Sequence, residues 1–299
     1  MANGETFEQY RPRLFAVAYR MLGSASEAED AVQDAWLRFA GADQASVRTP
    51  EAFLTTIVTR LCLDRLKSAR MQREQYVGPW LPEPLITDTA PGPEQSAALA
   101  ESVTLAFMVL LETLSPEERA AFLLREVFDY DHREIASMLN TTPENSRQLV
   151  HRARARVDER RPHIDAGYDA ERHRPLVHRF AMALRDGDAA AFTSLLAEDV
   201  EFWSDGGGKV SAARRPVFGR HDVTQVLVGI RRSGLQGVSL DQVSLDFVDV
   251  NGEPAVTIRV DGRLDTIFTC TIANDAITAL RIIRNPDKLQ YIARQMAEQ

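Results

Sequence analysis

Three helix starts are written into residues 115–161, SPEERAAFLLREVFDYDHREIASMLNTTPENSRQLVHRARARVDERR, and this stretch constrains the fold more than any other. Ser115 can cap a helix, with Pro116 at its first position and Glu118 three residues on. Asp131 can cap the next, with Glu134 in the reciprocal place, and Thr142 a third, followed by Pro143 and Glu144. Each pattern satisfies amide donors at a helix start and places negative charge at the positive end of the helix dipole.

The second of these helices is short, with Ile135, Ala136 and Leu139 on one side, and Asn140 after it suits a tight left-handed turn. The third carries Leu149, Val150, Ala153 and Val157 on one face and Arg147, Gln148, His151, Arg152, Arg154 and Arg156 on the other. A short helix, a tight turn and a helix with a basic face make a helix-turn-helix. Its basic face would meet phosphates, and Arg147 or Gln148 could reach base edges in a major groove. A surface helical hairpin with a solvated basic face would show the same pattern, so the rest of the chain has to decide.

Charge distribution bears on that choice. The net charge of −8 argues against a simple DNA binder. Residues 76–134 hold 3 Arg and no Lys against 11 Asp and Glu, whereas residues 147–161 hold six arginines. A second basic run, Arg60, Arg65, Lys67, Arg70 and Arg73, is opposed only by Asp64. Such a chain should bind free DNA poorly and suits delivery to DNA by a partner. Its 299 residues allow two or three domains. No apolar run approaches the roughly 20 residues of a membrane helix, and the start MANGETFEQYRPRLF has no secretory pattern, so a cytoplasmic protein is expected. Cys62 and Cys270 make no metal spacing and read as buried fillers.

Residues 5–23 read as a helix with Phe7, Tyr10, Leu14, Phe15, Ala18, Met21 and Leu22 as its apolar stripe. Ser26 opens a second, in which Ala28, Ala31, Val32, Ala35, Trp36 and Phe39 face a core while Asp30, Gln33, Asp34 and Leu37 form a separate stripe. After the polar loop 41–50, Pro50 and Glu51 open a long helix to about Arg73, with Thr56, Thr59, Arg60, Lys67 and Arg70 expected to face outward. Residues 76–96 are a linker whose five prolines forbid a helix, yet Trp80 and Leu81 in it should dock on something. A helix at 97–113 leads into the three-helix unit. Beyond Pro162, two helices over 173–198, a strand from Val200, the glycine loop DGGGK, a short strand at 217–219 and a helix at 221–233 precede four strands, SLDQVSLDFV, PAVTIRV, RLDTIFTCTI and AITALRII, and a helix at 286–297. NGEP and ANDA mark hairpin turns. This is an α+β domain with helices over one face of a curved, mostly antiparallel sheet.

AEDAVQDAWLRF (28–39), FLTTIVTRLCLDRLKSAR (53–70) and residues 114–157 stand in the order found in extracytoplasmic-function sigma factors, and the first 161 residues resemble that family. WLPEP (80–84), DGGGK (205–209) and NPDKL (285–289) resemble the marks of a subgroup with a fused C-terminal SnoaL-like domain. The resemblance implies a multi-domain chain: region 2 at 1–75 for polymerase binding and minus-ten recognition and melting, a linker at 76–96, region 4 at 97–161 for minus-thirty-five recognition, and a SnoaL-like regulatory domain at 170–299. Both sigma regions would be all-α, the SnoaL-like domain a cone-shaped α+β fold. It implies core RNA polymerase (the clamp helices of its largest subunit and the flap of the second largest) and promoter DNA as partners, with no membrane, no cofactor, no metal and a monomer outside the holoenzyme.

Carried over residue by residue, the resemblance places Asp30, Gln33, Asp34 and Trp36 at or beneath the polymerase contact. The 41–50 loop would hold a flipped minus-ten base, with Thr56, Thr59 and Arg60 near the strand. Arg147, Gln148, His151 and Arg152 would face the minus-thirty-five groove, His151 standing where many members carry an apolar or aromatic residue. The linker would thread toward the polymerase active centre. Trp80, Leu81, Pro82, Glu83, Pro84, Asp205, Gly206, Gly207, Gly208, Lys209, Asn285, Pro286, Asp287, Lys288 and Leu289 are expected to form one interdomain regulatory surface.

DGGGK could also cradle a phosphate through its amides, but no Ser or Thr follows Lys209 and the spacing is not that of a nucleotide loop. His178, His221, Asp222, Trp203 and Phe202 could line a pocket; no acid–base constellation is fixed by sequence, and no enzymatic activity is expected. The competing function is a DNA-binding repressor, or a ligand sensor or enzyme built on the SnoaL-like domain. It would have no use for the 28–39 helix and would bind duplex DNA unaided.

Overall fold

A computed structural model of the chain describes residues 2–43, 47, 49–73, 75–87, 102–160 and 170–297. Part of the 41–50 loop, the second half of the 76–96 linker, the beginning of the helix expected at 97–113 and the boundary at Pro162 lie outside the described residues. The chain divides into two units. One takes residues 1–75, 96–102 and 108–160; the other takes 76–95, 103–107 and 161–299.

The first unit is helical. Helices α1 (Ala2–Leu22), α2 (Ala25–Ala40) and α3 (Pro50–Arg73) pack on one another. The start of α2 differs from expectation: its cap is Ser24, whose hydroxyl accepts the Glu27 N–H, and Ser26 lies inside the helix. Helix α4 (Leu105–Leu111), whose first three residues belong to the second unit, is shorter than the helix expected at 97–113, because residues 102–104 form a turn. Helix α5 (Pro116–Phe122) begins with a complete capping box between Ser115 and Glu118 and runs into a π-helical turn, Leu123–Val127. Helix α6 (His132–Met138) begins with a second complete box between Asp131 and Glu134. Asn140 takes the left-handed conformation, φ 52°, and α7 (Pro143–Arg160) follows, its Thr142 hydroxyl accepting the Asn145 N–H. Leu149, Val150, Ala153 and Val157 are buried, as their spacing requires.

The second unit has helices α8 (Ala170–Asp186), α9 (Ala189–Ser194), α10 (Arg220–Ser233) and α11 (Pro286–Ala297) with a six-stranded sheet. The strands are β1 (Leu196–Asp205), β2 (Val217–Phe218), β3 (Ser244–Val250), β4 (Glu253–Val260), β5 (Arg263–Ala273) and β6 (Ala276–Ile283), in spatial order β2-β1-β6-β5-β4-β3. Only β1 and β6 run parallel among the paired strands, and register shifts in β1, β4 and β5 bend the sheet. Two boundaries depart from expectation. Residues 196–199 form strand paired with β6 where a helix is expected, and 239–243 are turn where a strand is expected. Alternate residues Phe202, Val256, Ile258, Phe268, Cys270 and Leu280 face α8–α10 and close a core with Phe180, Phe192, Val223 and Leu227. This is the expected arrangement of helices over one face of a mostly antiparallel bent sheet.

Candidate nucleic-acid interface and linker site

On α2, Ala28, Ala31, Val32, Ala35 and Phe39 are buried, which turns the other stripe outward. Asp30 and Gln33 are exposed, and Leu37 is 62% exposed, unusual for a large apolar side chain. Asp34 is half-exposed and pairs with Arg65 at 2.8 Å. Trp36 lies between Phe7 and Phe39, with ring centroids 5.1 and 6.5 Å away. It therefore supports the stripe from beneath. An acidic and apolar helix face held this firmly can bind a complementary protein surface.

Helix α3 corrects one expectation. Thr59 is fully buried rather than facing outward. The cause is tertiary: α3 packs against α5 and α6 as well as α1 and α2. Thr55, one turn earlier on the same face, sits 3.1 Å from the Tyr130 hydroxyl. Thr56 is half-buried and donates its hydroxyl hydrogen to the Ala52 carbonyl. Arg60 is exposed along its edge but donates to the Ser137 and Met138 carbonyls at the end of α6, both at 2.9 Å. Of the expected strand-contacting residues, Arg60 is thus joined to the helix-turn-helix in this conformation.

On α7, Arg147, Gln148 and His151 are exposed together near the helix start, and Arg147 is 3.4 Å from Glu144. Arg152 is turned back toward α5, where its Nε donates to Glu118 at 3.1 Å, and Arg156 binds the other oxygen of the same carboxylate. Burial alone would push the Glu118 carboxyl up; the Ser115 N–H and the two guanidiniums outweigh it, and its pKa falls. Arg154 pairs with Glu126 at 2.7 Å. Arg147, Gln148 and His151 thus form the exposed start of α7, while Arg152 ties the helix to Glu118 of α5.

In the second unit the structure brings WLPEP, DGGGK and NPDKL together. Asp205, fully buried at the end of β1, is the hub. Its carboxylate accepts from the Tyr76 hydroxyl (2.5 Å), the Leu81 N–H (2.9 Å), the Gly207 N–H (3.1 Å) and the Lys288 ammonium (2.7 Å). Lys288 also donates to the Leu81 carbonyl and lies over the Trp80 ring, 4.0 Å from its centroid. Burial, followed by the bond to Asp205, pushes the Tyr76 phenol up. Asn285 donates to the Tyr76 oxygen at 2.8 Å, and Lys209 pairs with Asp287 at 2.5 Å on the rim. Leu81, Pro82, Glu83, Pro84 and Leu289 are buried, while Pro286 is exposed. The glycines permit close approach: a Cβ on Gly207, whose φ is +59°, would stand 2.4 Å from Asn285 Nδ2, and one on Gly206 2.6 Å from the Val210 carbonyl oxygen. Gly208 approaches Val77 in the same way, 3.1 Å from a Cβ to the side chain. Close packing against Asn285 and Val77 accounts for the glycine run without an anion.

Sequence reasoning missed Tyr76, whose aromatic ring before a proline-rich stretch was the available signal. The residues weighed for a pocket do not converge. Phe202 is in the core, Trp203 lies on the opposite sheet face bound to Glu201 at 2.9 Å, His178 stacks on Phe247, and His221 and Asp222 are exposed at the start of α10. Both cysteines are buried and unpaired as disulfides, with burial pushing each thiol up. Among the described residues no helix is long and apolar enough to cross a membrane.

Comparison with known proteins agrees with this geometry. The family Sigma-70 region 2 matches residues 6–71, and Sigma-70, region 4 matches residues 104–157. The chain is 38% identical to the ECF RNA polymerase sigma factor SigJ of Mycobacterium tuberculosis, covering 94% of this chain and 91% of that one. It is 30% identical to the probable ECF RNA polymerase sigma factor SigI of the same organism, covering 96% and 94%. The crystal structure of M. tuberculosis SigJ superposes with a TM-score of 0.73 at 35% identity, over 95% of this chain and 97% of that one.

Proposed function

The chain belongs to the extracytoplasmic-function family of RNA polymerase sigma factors, and from that membership we propose how its surfaces divide the work. As a sigma factor it binds core RNA polymerase and promoter DNA to start transcription. The exposed stripe Asp30, Gln33, Asp34 and Leu37, backed by Trp36, contacts the clamp helices of the largest subunit. Arg147, Gln148 and His151 read the minus-thirty-five element, and Thr56, Thr59 and Arg60 serve the melted minus-ten strand once α3 is uncovered.

The carrying observation is the pair of bonds from Arg60 to Ser137 and Met138. Minus-ten and minus-thirty-five elements lie about 25 base pairs apart, or about 85 Å at roughly 3.4 Å per base pair. A helix that serves one element and a helix-turn-helix that reads the other cannot touch while both are occupied. The described conformation is therefore a resting one, and the first unit must open to work. Thr59 supports this, because its hydroxyl is buried without a hydrogen-bond partner among the described residues. Such a group costs about 1–3 kcal/mol, which opening would relieve.

The C-terminal domain tunes this opening through the linker. The Asp205–Lys288 pair, with Tyr76 and Trp80, holds residues 76–84 on the domain, so one end of the linker is not free to extend. Removing one partner of a buried ion pair costs about 3–5 kcal/mol. Run-off transcription with core polymerase tests the reading by comparing the chain with Lys288→Glu. The variant should initiate several-fold faster at limiting polymerase. Equal rates would sink the tuning role, and no initiation by either chain on any promoter would sink the assignment of these surfaces.

A further inference from the structure

The turn between β3 and β4, read from sequence only as a hairpin, grips two other parts of the chain. Asn251 is fully buried and left-handed, φ 56°. Its backbone N–H donates to the Leu85 carbonyl at 2.8 Å, and its side-chain oxygen accepts the Leu85 N–H at 3.0 Å. Its side-chain amide donates to the Val103 carbonyl at 2.7 Å. One asparagine thus bonds two segments 18 residues apart in sequence. Its neighbours repeat the pattern. Gly252 N–H donates to the Thr87 hydroxyl at 2.7 Å, the Thr87 N–H donates to the Asp249 carbonyl at 3.2 Å, and Ile86 bridges Val250. On the other side the buried Glu253 carboxylate accepts the Leu105 N–H.

We infer that Asn251, Gly252 and Glu253 form a staple that fixes residues 85–87 and 103–105 side by side on the C-terminal domain, and that this staple must release before the two DNA-reading modules can separate. The inference rests on the tuning role proposed above and adds a second, independent holding point. Fifteen residues separate Thr87 from Val103. Fully extended, the sixteen Cα steps between them would reach about 55 Å, at roughly 3.3–3.6 Å per residue. With both ends bonded to adjacent residues of one turn, none of that reach is usable. The Lys288 site, which holds only residues 76–84, cannot impose this limit by itself. Asn251 is accordingly a positioning residue.

The test combines hydrogen exchange with run-off transcription on the full chain. Asn251→Gly keeps the left-handed backbone and removes the side-chain bonds. It should speed exchange at the Leu85 and Leu105 amides at least tenfold, leave β5 amides unchanged, and raise initiation at limiting core polymerase at least threefold. Thr87→Val, made on the held segment so that the domain's own sequence is intact, should act in the same direction with smaller size, and it decides the matter if the first variant fails to fold. Unchanged exchange at these amides overturns the staple. Faster exchange with unchanged initiation also overturns it, and if Lys288→Glu is then active the tuning role survives alone. Silence of all three variants in transcription removes both.

Discussion

Glu253 sits in the staple with its carboxyl wholly out of water, and burial pushes its pKa up to about 7 from 4.5; the Arg281 charge and the Leu105 N–H oppose that rise without cancelling it. The folded chain therefore holds this proton more tightly than the unfolded chain does. The contribution is fully present below the unfolded pKa and is lost as pH rises through the folded one. At about 1.36 kcal/mol per unit, the loss is of order 3 kcal/mol. Glu253→Gln keeps an oxygen acceptor for Leu105 and abolishes the titration. Urea unfolding across this range should show the native chain losing stability relative to the variant between about pH 4.5 and 7.5. Parallel profiles would mean that the carboxylate is solvated. The residue scale is also where sequence is least informative. The Asn251 side chain has its partners at Leu85 and Val103, the farther 166 residues away, and no local pattern announces them.

At the scale of elements, the caps of α5, α6 and α7 were legible because each is settled within four residues: Ser115 with Glu118, Asp131 with Glu134, Thr142 with Asn145. The buried faces of α2 and α7 were legible because their apolar periodicity is clean. The outward face of α3 was not, because α3 is covered on two sides and a threonine stripe reads alike whether it meets water or α6. Residues 196–199 failed for a related reason: leucine and alanine favour helix locally, and pairing with β6 overrides them. Within the candidate site, the exposed end of α7 and the three linker motifs were visible, whereas the anchoring direction of Arg152 was not. That anchor can be measured. Glu118 closes a capping box and holds both Arg152 and Arg156, so Glu118→Gln should cost about 2 kcal/mol, in line with hydrogen bonds to charged groups. Chemical denaturation would give the loss, and binding to minus-thirty-five duplexes should weaken with unchanged base preference. A changed preference would show that Arg152 reads bases.

At the scale of the whole molecule, charge and covering act together. The chain carries a net −8, and α3 and α7 each carry a run of basic residues. Of these, Arg60, Arg152, Arg154 and Arg156 are engaged by carbonyls or carboxylates. The free chain should accordingly bind a duplex bearing only the minus-thirty-five element weakly, with a slope of about −0.9 per phosphate contact in log affinity against log salt. Adding a correctly spaced minus-ten element should not tighten binding until core polymerase is present. Fluorescence anisotropy with the two duplexes would show this, and tighter binding of the longer one by the chain alone would mean that α3 is already uncovered.

The staple has a consequence in time. Leu85 and its partner Asn251 are 166 positions apart, and the ribosome adds about 5–20 residues per second. For about 8–33 s after the linker is made, the residues that will hold it do not yet exist. Each new copy thus passes through an interval, about 5–19 s counted from Val157 to Asn251, in which its promoter-reading half has been synthesised and its restraint has not.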